Sequence, residues 1–187
     1  LHKEYRRQRQ MCIRDRSERY TPFFPHVPLT CLLKIGVNSV SNSILLVEDE
    51  SLDLELALIA LKRARMDSKL TVVRDGQQAL DYLFCQDRYA SREPGNPALV
   101  ILDLKTPNLT GLQILAAMRG CVDLRDIPVV VMTNSRDPMA QQKARELNVS
   151  AYIVKPLALE DYVEVVASLG TLLAPDESSR QPQTKPH

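Results

Sequence analysis

Apolar and polar positions follow two different periods from Ile44 onward. Short continuous apolar runs alternate with longer segments in which apolar residues recur every three or four positions. Continuous Val/Ile/Leu runs are typical of parallel strands buried on both faces, and the longer segments are typical of amphipathic helices. The alternation predicts an α/β domain of five βα units with a parallel sheet and right-handed crossovers. The predicted strands are Ile44–Val47, Leu70–Val73, Leu99–Leu102, Val129–Met132 and Ala151–Val154.

A helix is predicted after each strand. The first is expected to run to about Arg65, with its apolar stripe on Leu52, Leu56, Ile59 and Ala60. The next three carry Ala79, Leu80, Leu83 and Phe84; then Leu112, Ile114, Leu115 and Met118; then the segment Met139–Leu147. The last is expected from about Leu159 to Leu173. Gln86–Pro97, rich in polar residues, proline and glycine, is predicted to be a surface insertion.

The two ends of the chain lack this pattern. Residues 1–43 carry eight Lys/Arg and three Asp/Glu, and the first 20 are rich in Arg and Gln. We predict an unstructured extension over 1–43, a domain over 44–174 and a disordered tail over 175–187. The segment from Met11 to Arg16 also resembles the translation of a transposon end used in sequencing libraries, which makes roughly the first 16 residues a candidate assembly artefact. The alternative is a natural basic arm that binds nucleic acid or anionic lipid.

Composition narrows the class of protein. A chain of 187 residues with 44% hydrophobic and 25% charged residues is ordinary for one soluble domain with appendages. Its four cysteines, at positions 12, 31, 85 and 121, have neither zinc-site nor disulfide-framework spacing. The apolar stretch Val27–Val40 is interrupted by Pro28 and Lys34, so it predicts no membrane span. We expect a cytoplasmic protein without direct membrane or nucleic-acid binding.

Polar residues with related chemistry follow four of the five strands. Glu48 and Asp49 come after the first strand, Asp103 after the third, Thr133 after the fourth and Lys155 after the fifth. Ligands of open α/β sheets bind beyond the carboxyl ends of the strands. We therefore expect these side chains to converge.

These residue types suit phosphoryl transfer to a carboxylate. In such a transfer, the negative charge on the phosphoryl oxygens must be offset by a divalent cation, a fixed ammonium and hydrogen-bond donors. Asp49 and Asp103 are hard oxygen ligands suited to Mg²⁺, and Glu48 suits a metal-bound water. Lys155 supplies the ammonium, and the Thr133 hydroxyl supplies a donor. Taken singly, each residue has a simpler explanation as a helix cap, a turn residue or a solvated strand end.

The segments ILLVEDE, LVILDLKTPNLTG, VVVMTNS and YIVKP resemble the motifs of a response-regulator receiver domain of two-component signalling, over Ile44 to about Leu173. The resemblance implies a flavodoxin-like, doubly wound fold with sheet order 2-1-3-4-5. It also implies that Asp103 accepts a phosphoryl group from a histidine kinase and is contacted there by Thr133 and Lys155. The implied Mg²⁺ ligands are Asp49, Asp103, the main-chain carbonyl of Lys105 and, through water, Glu48.

The same resemblance implies how a signal would leave the domain. Tyr152 matches the family's switch aromatic, which responds to Thr133, while Asn134 and Ser135 are candidates for tuning phosphoryl lifetime. With no room for an output domain, the predicted target is another protein or a phosphotransfer partner. Within the family, the chain most resembles stand-alone regulators paired with phytochrome-type kinases. Exposed apolar residues of the fifth helix, among Val163, Val166 and Leu169, are candidates for a homodimer contact, although most of this stripe is expected to be core.

Two other functions remain open from the sequence. Asp103-Leu104-Lys105-Thr106 resembles the D-x-D-x-T motif of haloacid-dehalogenase-type phosphatases, which use a nucleophilic aspartate. Lys105 occupies the place of their general acid, and those enzymes carry the motif on their first strand. The other alternative is a pseudo-receiver that binds partners without being phosphorylated. Nucleotide binding is disfavoured because no phosphate-binding glycine motif occurs.

Overall fold

A computed structural model describes residues 40–67, 69–92 and 95–173 of the chain. These residues form one sheet of five strands, with a helix after each strand. The strands are β1 (Val40–Val47), β2 (Leu70–Val73), β3 (Asn96–Leu102), β4 (Val129–Thr133) and β5 (Ala151–Val154). The helices are α1 (Ser51–Arg63), α2 (Gly76–Leu83), α3 (Gly111–Gly120), α4 (Pro138–Glu146) and α5 (Leu159–Ser168).

All paired strands of the sheet are parallel, and their order is β2-β1-β3-β4-β5. This confirms the predicted flavodoxin-like topology. The central strand β3 is buried from Pro97 to Leu102, and β4 is buried throughout, as continuous apolar runs predict. The edge strands β2 and β5 are only partly buried because each pairs with a single neighbour.

Strand β1 begins at Val40, four residues before the predicted start. Val40 pairs with Asn96 and Ser41 with Pro97, and the register then shifts before Ile44. The polar residues between Ser41 and Ser43 hid this extension from a prediction based on apolar runs. The predictions for residues 1–39 and 174–187 lie outside the described residues.

One face of the sheet packs against α1 and α5. Tyr162 and Val166 of α5, with Ala57, Ala60 and Leu61 of α1, share a buried cluster with apolar residues of β1, β3 and β4. Leu169, in a short 3₁₀ helix that continues α5, belongs to the same cluster. Val166 and Leu169 are therefore core residues, as expected for most of this stripe, and they are not candidates for a dimer contact.

The predicted stripe of α1 was wrong at one position. Leu52 is 71% exposed, and the buried positions are Ala57, Ala60 and Leu61. Leu52 lies in the first turn of α1, right after the segment that leaves the sheet edge. The first fully buried side chain of the helix is that of Ala57, in its second turn.

The predicted insertion includes regular structure at two places. It contains a 3₁₀ turn at Asp87–Tyr89, and its last residues belong to β3. The Arg92 guanidinium lies 4.4 Å from the centre of the Tyr82 ring and donates to the Tyr82 and Gly95 carbonyl oxygens. No helix among the described residues is both long and apolar enough to cross a membrane.

Candidate phosphoacceptor site

Backbone pairing carries the polar residues to one edge of the sheet. The Asp103 N–H donates to the Val47 carbonyl at 3.0 Å, so the residue after β3 stays in register with the end of β1. The Lys155 N–H donates to the Thr133 carbonyl at 2.9 Å in the same way. The pairing of adjacent strands therefore extends to the residues that follow β3 and β5.

A buried lysine joins three carboxylates at this edge. The Lys155 Nζ lies 2.6 Å from Glu48 Oε2, 2.8 Å from Asp103 Oδ2 and 2.7 Å from Asp53 Oδ2. An ammonium has three N–H donors, and each of them has a carboxylate acceptor here. Within the described chain, every buried side-chain nitrogen and oxygen has a hydrogen-bond partner.

Asp53 was missed by the sequence analysis. It lies in the first turn of α1, and its Oδ2 also accepts a hydrogen bond from the Asn134 side chain at 2.9 Å. A signal was present in its place as the acidic residue of the first helical turn, shortly after the acidic pair that follows β1. Asp53 does not directly follow a strand, so the pattern of strand-end residues did not include it.

Three acidic side chains are spaced to hold a cation. Glu48, Asp49 and Asp103 each offer a carboxylate oxygen, and these oxygens all lie within 4.8 Å of one another. Two oxygens bound directly to one Mg²⁺, at about 2.1 Å each, lie at most about 4.2 Å apart, and an oxygen that binds through water lies farther away, so this spacing suits a hydrated cation. The donors are hard oxygens, which fits Mg²⁺ or Mn²⁺.

Lys105 lies at the rim of the site with an exposed side chain. Its backbone N–H donates to Asp103 Oδ1 at 3.1 Å, so the loop after β3 orients the second oxygen of that carboxylate. The metal-binding role predicted for the Lys105 carbonyl stays a prediction.

Burial and charge shift two pKa values in this cluster. Burial raises the pKa of Glu48 to about 7, and the nearby Asp103 charge adds to the rise, while Lys155 opposes it. Burial lowers the pKa of Lys155, but its hydrogen bonds to Asp103, Asp53 and Glu48 outweigh that effect and raise it overall. Lys155 is therefore a fixed positive charge, whereas Glu48 titrates near neutrality.

Thr133 and Tyr152 are connected through Ser135. The fully buried Thr133 hydroxyl accepts a hydrogen bond from the Ser135 N–H at 3.3 Å. The Tyr152 hydroxyl donates to the Ser135 carbonyl at 3.1 Å, and burial raises the pKa of Tyr152. A movement of Thr133 would therefore disturb the segment that holds the tyrosine hydroxyl.

The loop between Asp103 and α3 is fixed by close backbone approach. A Cβ at Gly111 would lie 2.3 Å from the Asp103 carbonyl oxygen, so only glycine fits there. On the other side, the Gly76 N–H donates to the Pro107 carbonyl at 3.1 Å, and Asn108 donates to the Asp75 side chain. The loop is thereby attached to the start of α2.

Comparison with known proteins gives a family. The family model described as "Response regulator receiver domain" matches residues 44–167. Response regulator Rcp1 of Synechocystis sp. is 36% identical over 126 residues, which cover 67% of this chain and 84% of that protein. The crystal structure of the Mn²⁺-bound form of Rcp1 matches with a TM-score of 0.63 at 35% identity, covering 69% of this chain and 91% of that one.

Two further solved structures are similar. The bacteriophytochrome response regulator RtBRR is 48% identical with a TM-score of 0.61, covering 68% of this chain and 77% of that one. The phosphorylated cyanobacterial phytochrome response regulator RcpA is 30% identical with a TM-score of 0.65, covering 75% and 98%. The match of sequence, fold and acidic site leads to one conclusion. This chain belongs to the response-regulator receiver family of two-component signalling and is similar to the phytochrome-associated regulators within it.

Proposed function

We propose that the protein accepts a phosphoryl group on Asp103 from the phosphohistidine of a histidine kinase. One observation carries the proposal: the buried Asp103 carboxylate lies 2.8 Å from the Lys155 ammonium and belongs to a cluster of oxygens spaced for a cation. A phosphoacceptor needs this combination of nucleophile, fixed cation and metal ligands. It acts as a signalling protein whose own site performs phosphorylation and dephosphorylation.

The transfer itself can be written with the residues at the site. An Asp103 oxygen attacks phosphorus, the P–N bond of the phosphohistidine breaks, and its electron pair stays on the imidazole nitrogen. Asp103 ends as an acyl phosphate. Lys155 offsets the charge of the phosphoryl oxygens, and the Thr133 hydroxyl turns from its Ser135 contact to donate to one of them.

Mg²⁺ is the proposed cofactor. Asp49 and Asp103 would bind it directly with the main-chain carbonyl of Lys105, and Glu48 would bind through water. When bound, it neutralises charge that develops on the phosphoryl oxygens. The proposal is supported by the spacing of the acidic oxygens and by the Mn²⁺-bound form of Rcp1.

The output would be a change of surface. Thr133 and Tyr152 share Ser135 as a hydrogen-bond partner, so withdrawal of Thr133 toward the phosphoryl group loosens the contact that holds Tyr152. Rotation of Tyr152 would alter the face made by α4, β5 and α5, which a downstream protein or phosphotransfer partner then reads. For homodimerisation, the partly buried Val163 is the remaining member of the predicted stripe.

The names of the relatives suggest the kinase. RtBRR and RcpA are named as bacteriophytochrome and phytochrome response regulators, so we propose a phytochrome-type histidine kinase as the donor. We place the exchange in the cytoplasm, as the cysteine pattern predicts. Membership of the receiver family and the position of Asp103 after the third strand support this proposal over the haloacid-dehalogenase-type alternative.

The test is phosphate-affinity electrophoresis of the full chain after incubation with acetyl phosphate, with and without Mg²⁺. We expect a shifted band that requires Mg²⁺ and is absent from Asp103→Asn. Phosphotransfer from a phosphorylated phytochrome-type kinase is the second arm. Folded wild-type protein that is shifted by neither donor would support the pseudo-receiver alternative and contradict the proposal.

A further inference from the structure

Asp53 contributes a third carboxylate to Lys155 from outside the group of strand-end residues. Its Oδ2 accepts from Lys155 Nζ at 2.7 Å and from the Asn134 side chain at 2.9 Å. Asn134 directly follows Thr133. Asp53 therefore links the start of α1 to the lysine after β5 and to the segment after β4.

The number of donors on Lys155 limits what the site can do. All three N–H groups are already donated to carboxylates, so a phosphoryl oxygen can gain one only if a carboxylate loses one. The side chain of Asp53 is 17% exposed, compared with 3% for Glu48 and 7% for Asp103. Because water can replace a lost hydrogen bond most easily at the most exposed carboxylate, Asp53 is the partner released at least cost.

The negative charge of Asp53 also favours its release from Lys155 when Asp103 is phosphorylated. Asp53 and Asp103 both accept a hydrogen bond from the Lys155 Nζ. A phosphoryl group on Asp103 would therefore lie within a few ångströms of the Asp53 carboxylate. That group carries about 1.5 to 2 negative charges at neutral pH, in place of the single charge of the Asp103 carboxylate. Asp53 does not belong to the acidic set spaced for a cation, so a metal ion bound there would not coordinate it. Its repulsion therefore opposes phosphorylation and favours the unphosphorylated state.

We propose that Asp53 is a positioning residue that holds Lys155 in the unphosphorylated state and sets how strongly a phosphoryl group at Asp103 is retained. On phosphorylation, one N–H of Lys155 stops donating its hydrogen bond to Asp53 and donates to a phosphoryl oxygen instead. Asp53 keeps its bond to Asn134, so the change also reaches the segment after Thr133. This inference rests on the proposed phosphoacceptor function.

The experiment uses beryllofluoride, a phosphoryl mimic, titrated into the full chain at saturating Mg²⁺. The chain has no tryptophan, so binding is followed by ¹⁹F NMR. Asp53→Asn keeps the size of the side chain and removes its charge, and we expect it to bind beryllofluoride about three- to tenfold more tightly than wild type. Asp53→Ser, which also removes the charge, should change binding in the same direction.

Glu55→Gln is the matched control, since it removes an exposed carboxylate from the same helix without a contact to Lys155. It should bind as wild type does. A merely structural role for Asp53 would weaken binding, so unchanged or weaker binding by the Asp53 variants, beside normal wild-type binding, overturns the inference alone. Wild-type protein that binds no beryllofluoride and is not phosphorylated overturns the proposed function and this inference with it.

Discussion

Glu48 is the residue whose behaviour depends most on its surroundings. It lies buried between a cation and an acid, Lys155 and Asp103, and burial raises its pKa from 4.5 to about 7. In the metal-free protein, its contribution to stability is therefore fully present below pH 4.5 and is lost as the pH rises through about 7. A cation at the site reverses this preference because it favours the ionised carboxylate.

We predict that Mg²⁺ affinity rises with pH through about 7. At pH 6 a carboxyl group with this pKa is about 90% protonated, so binding should be about tenfold weaker than at pH 8. Calorimetric titrations at both pH values, in buffers of different ionisation enthalpy, would measure the affinity and the proton released. Glu48→Gln should lose most of the pH dependence, and an unchanged dependence in that variant would assign it to another group.

At the scale of elements, the site depends on how the loops at the sheet edge are fixed. The loop after β3 is held by its attachment to α2 and by the close approach of α3 at Gly111. The Thr110 side chain caps α3, and Gln113 reaches back to complete a capping box. The start of α3 thereby sets the position of the Asp103 backbone.

Gly111→Ala should destabilise the protein by about 1–3 kcal/mol, because the added methyl group would displace the Asp103 carbonyl. Gly120→Ala is the matched control in the same helix, since a Cβ added there would meet no neighbouring group within 4 Å. That change should be neutral or stabilising by up to about 1 kcal/mol. Urea unfolding of both variants would measure the difference, and equal stabilities would refute the steric argument.

At the scale of the whole molecule, Lys155 connects distant parts of the chain. Its ammonium donates hydrogen bonds to Glu48, which is 107 residues away in the sequence, and to Asp103, which is 52 residues away. Through Asp53 it also contacts α1. One side chain therefore ties together the ends of β1, β3 and β5 and the first turn of α1.

Lys155→Met should destabilise the metal-free protein by about 3–5 kcal/mol, because three carboxylates lose their shared cation. Saturating Mg²⁺ should restore part of this loss by binding the native state. Chemical unfolding with and without Mg²⁺ would measure both effects. Lys62 on α1 is exposed, so Lys62→Met serves as the control and should change the free energy of unfolding by less than about 0.5 kcal/mol. A Lys155 effect as small as that would contradict the argument.

The sequence by itself determined the order of strands and helices and the residues at the strand ends. Burial on both faces requires continuous apolar runs, and those runs are visible locally, as at Leu99–Leu102. Because parallel strands end at one edge, the convergence of Glu48, Asp103 and Lys155 followed from their positions in the chain.

Only the tertiary structure decided which faces of the helices are buried and which further residues reach the site. Leu52 and Val166 have similar side chains, yet one is exposed and the other is core, because helix orientation relative to the sheet selects between them. Asp53 reaches Lys155 across 102 residues because α1, which shares a buried cluster with α5 on one face of the sheet, begins at the sheet edge where Lys155 lies. Contacts of this kind depend on the placement of whole elements, and no local pattern records that placement.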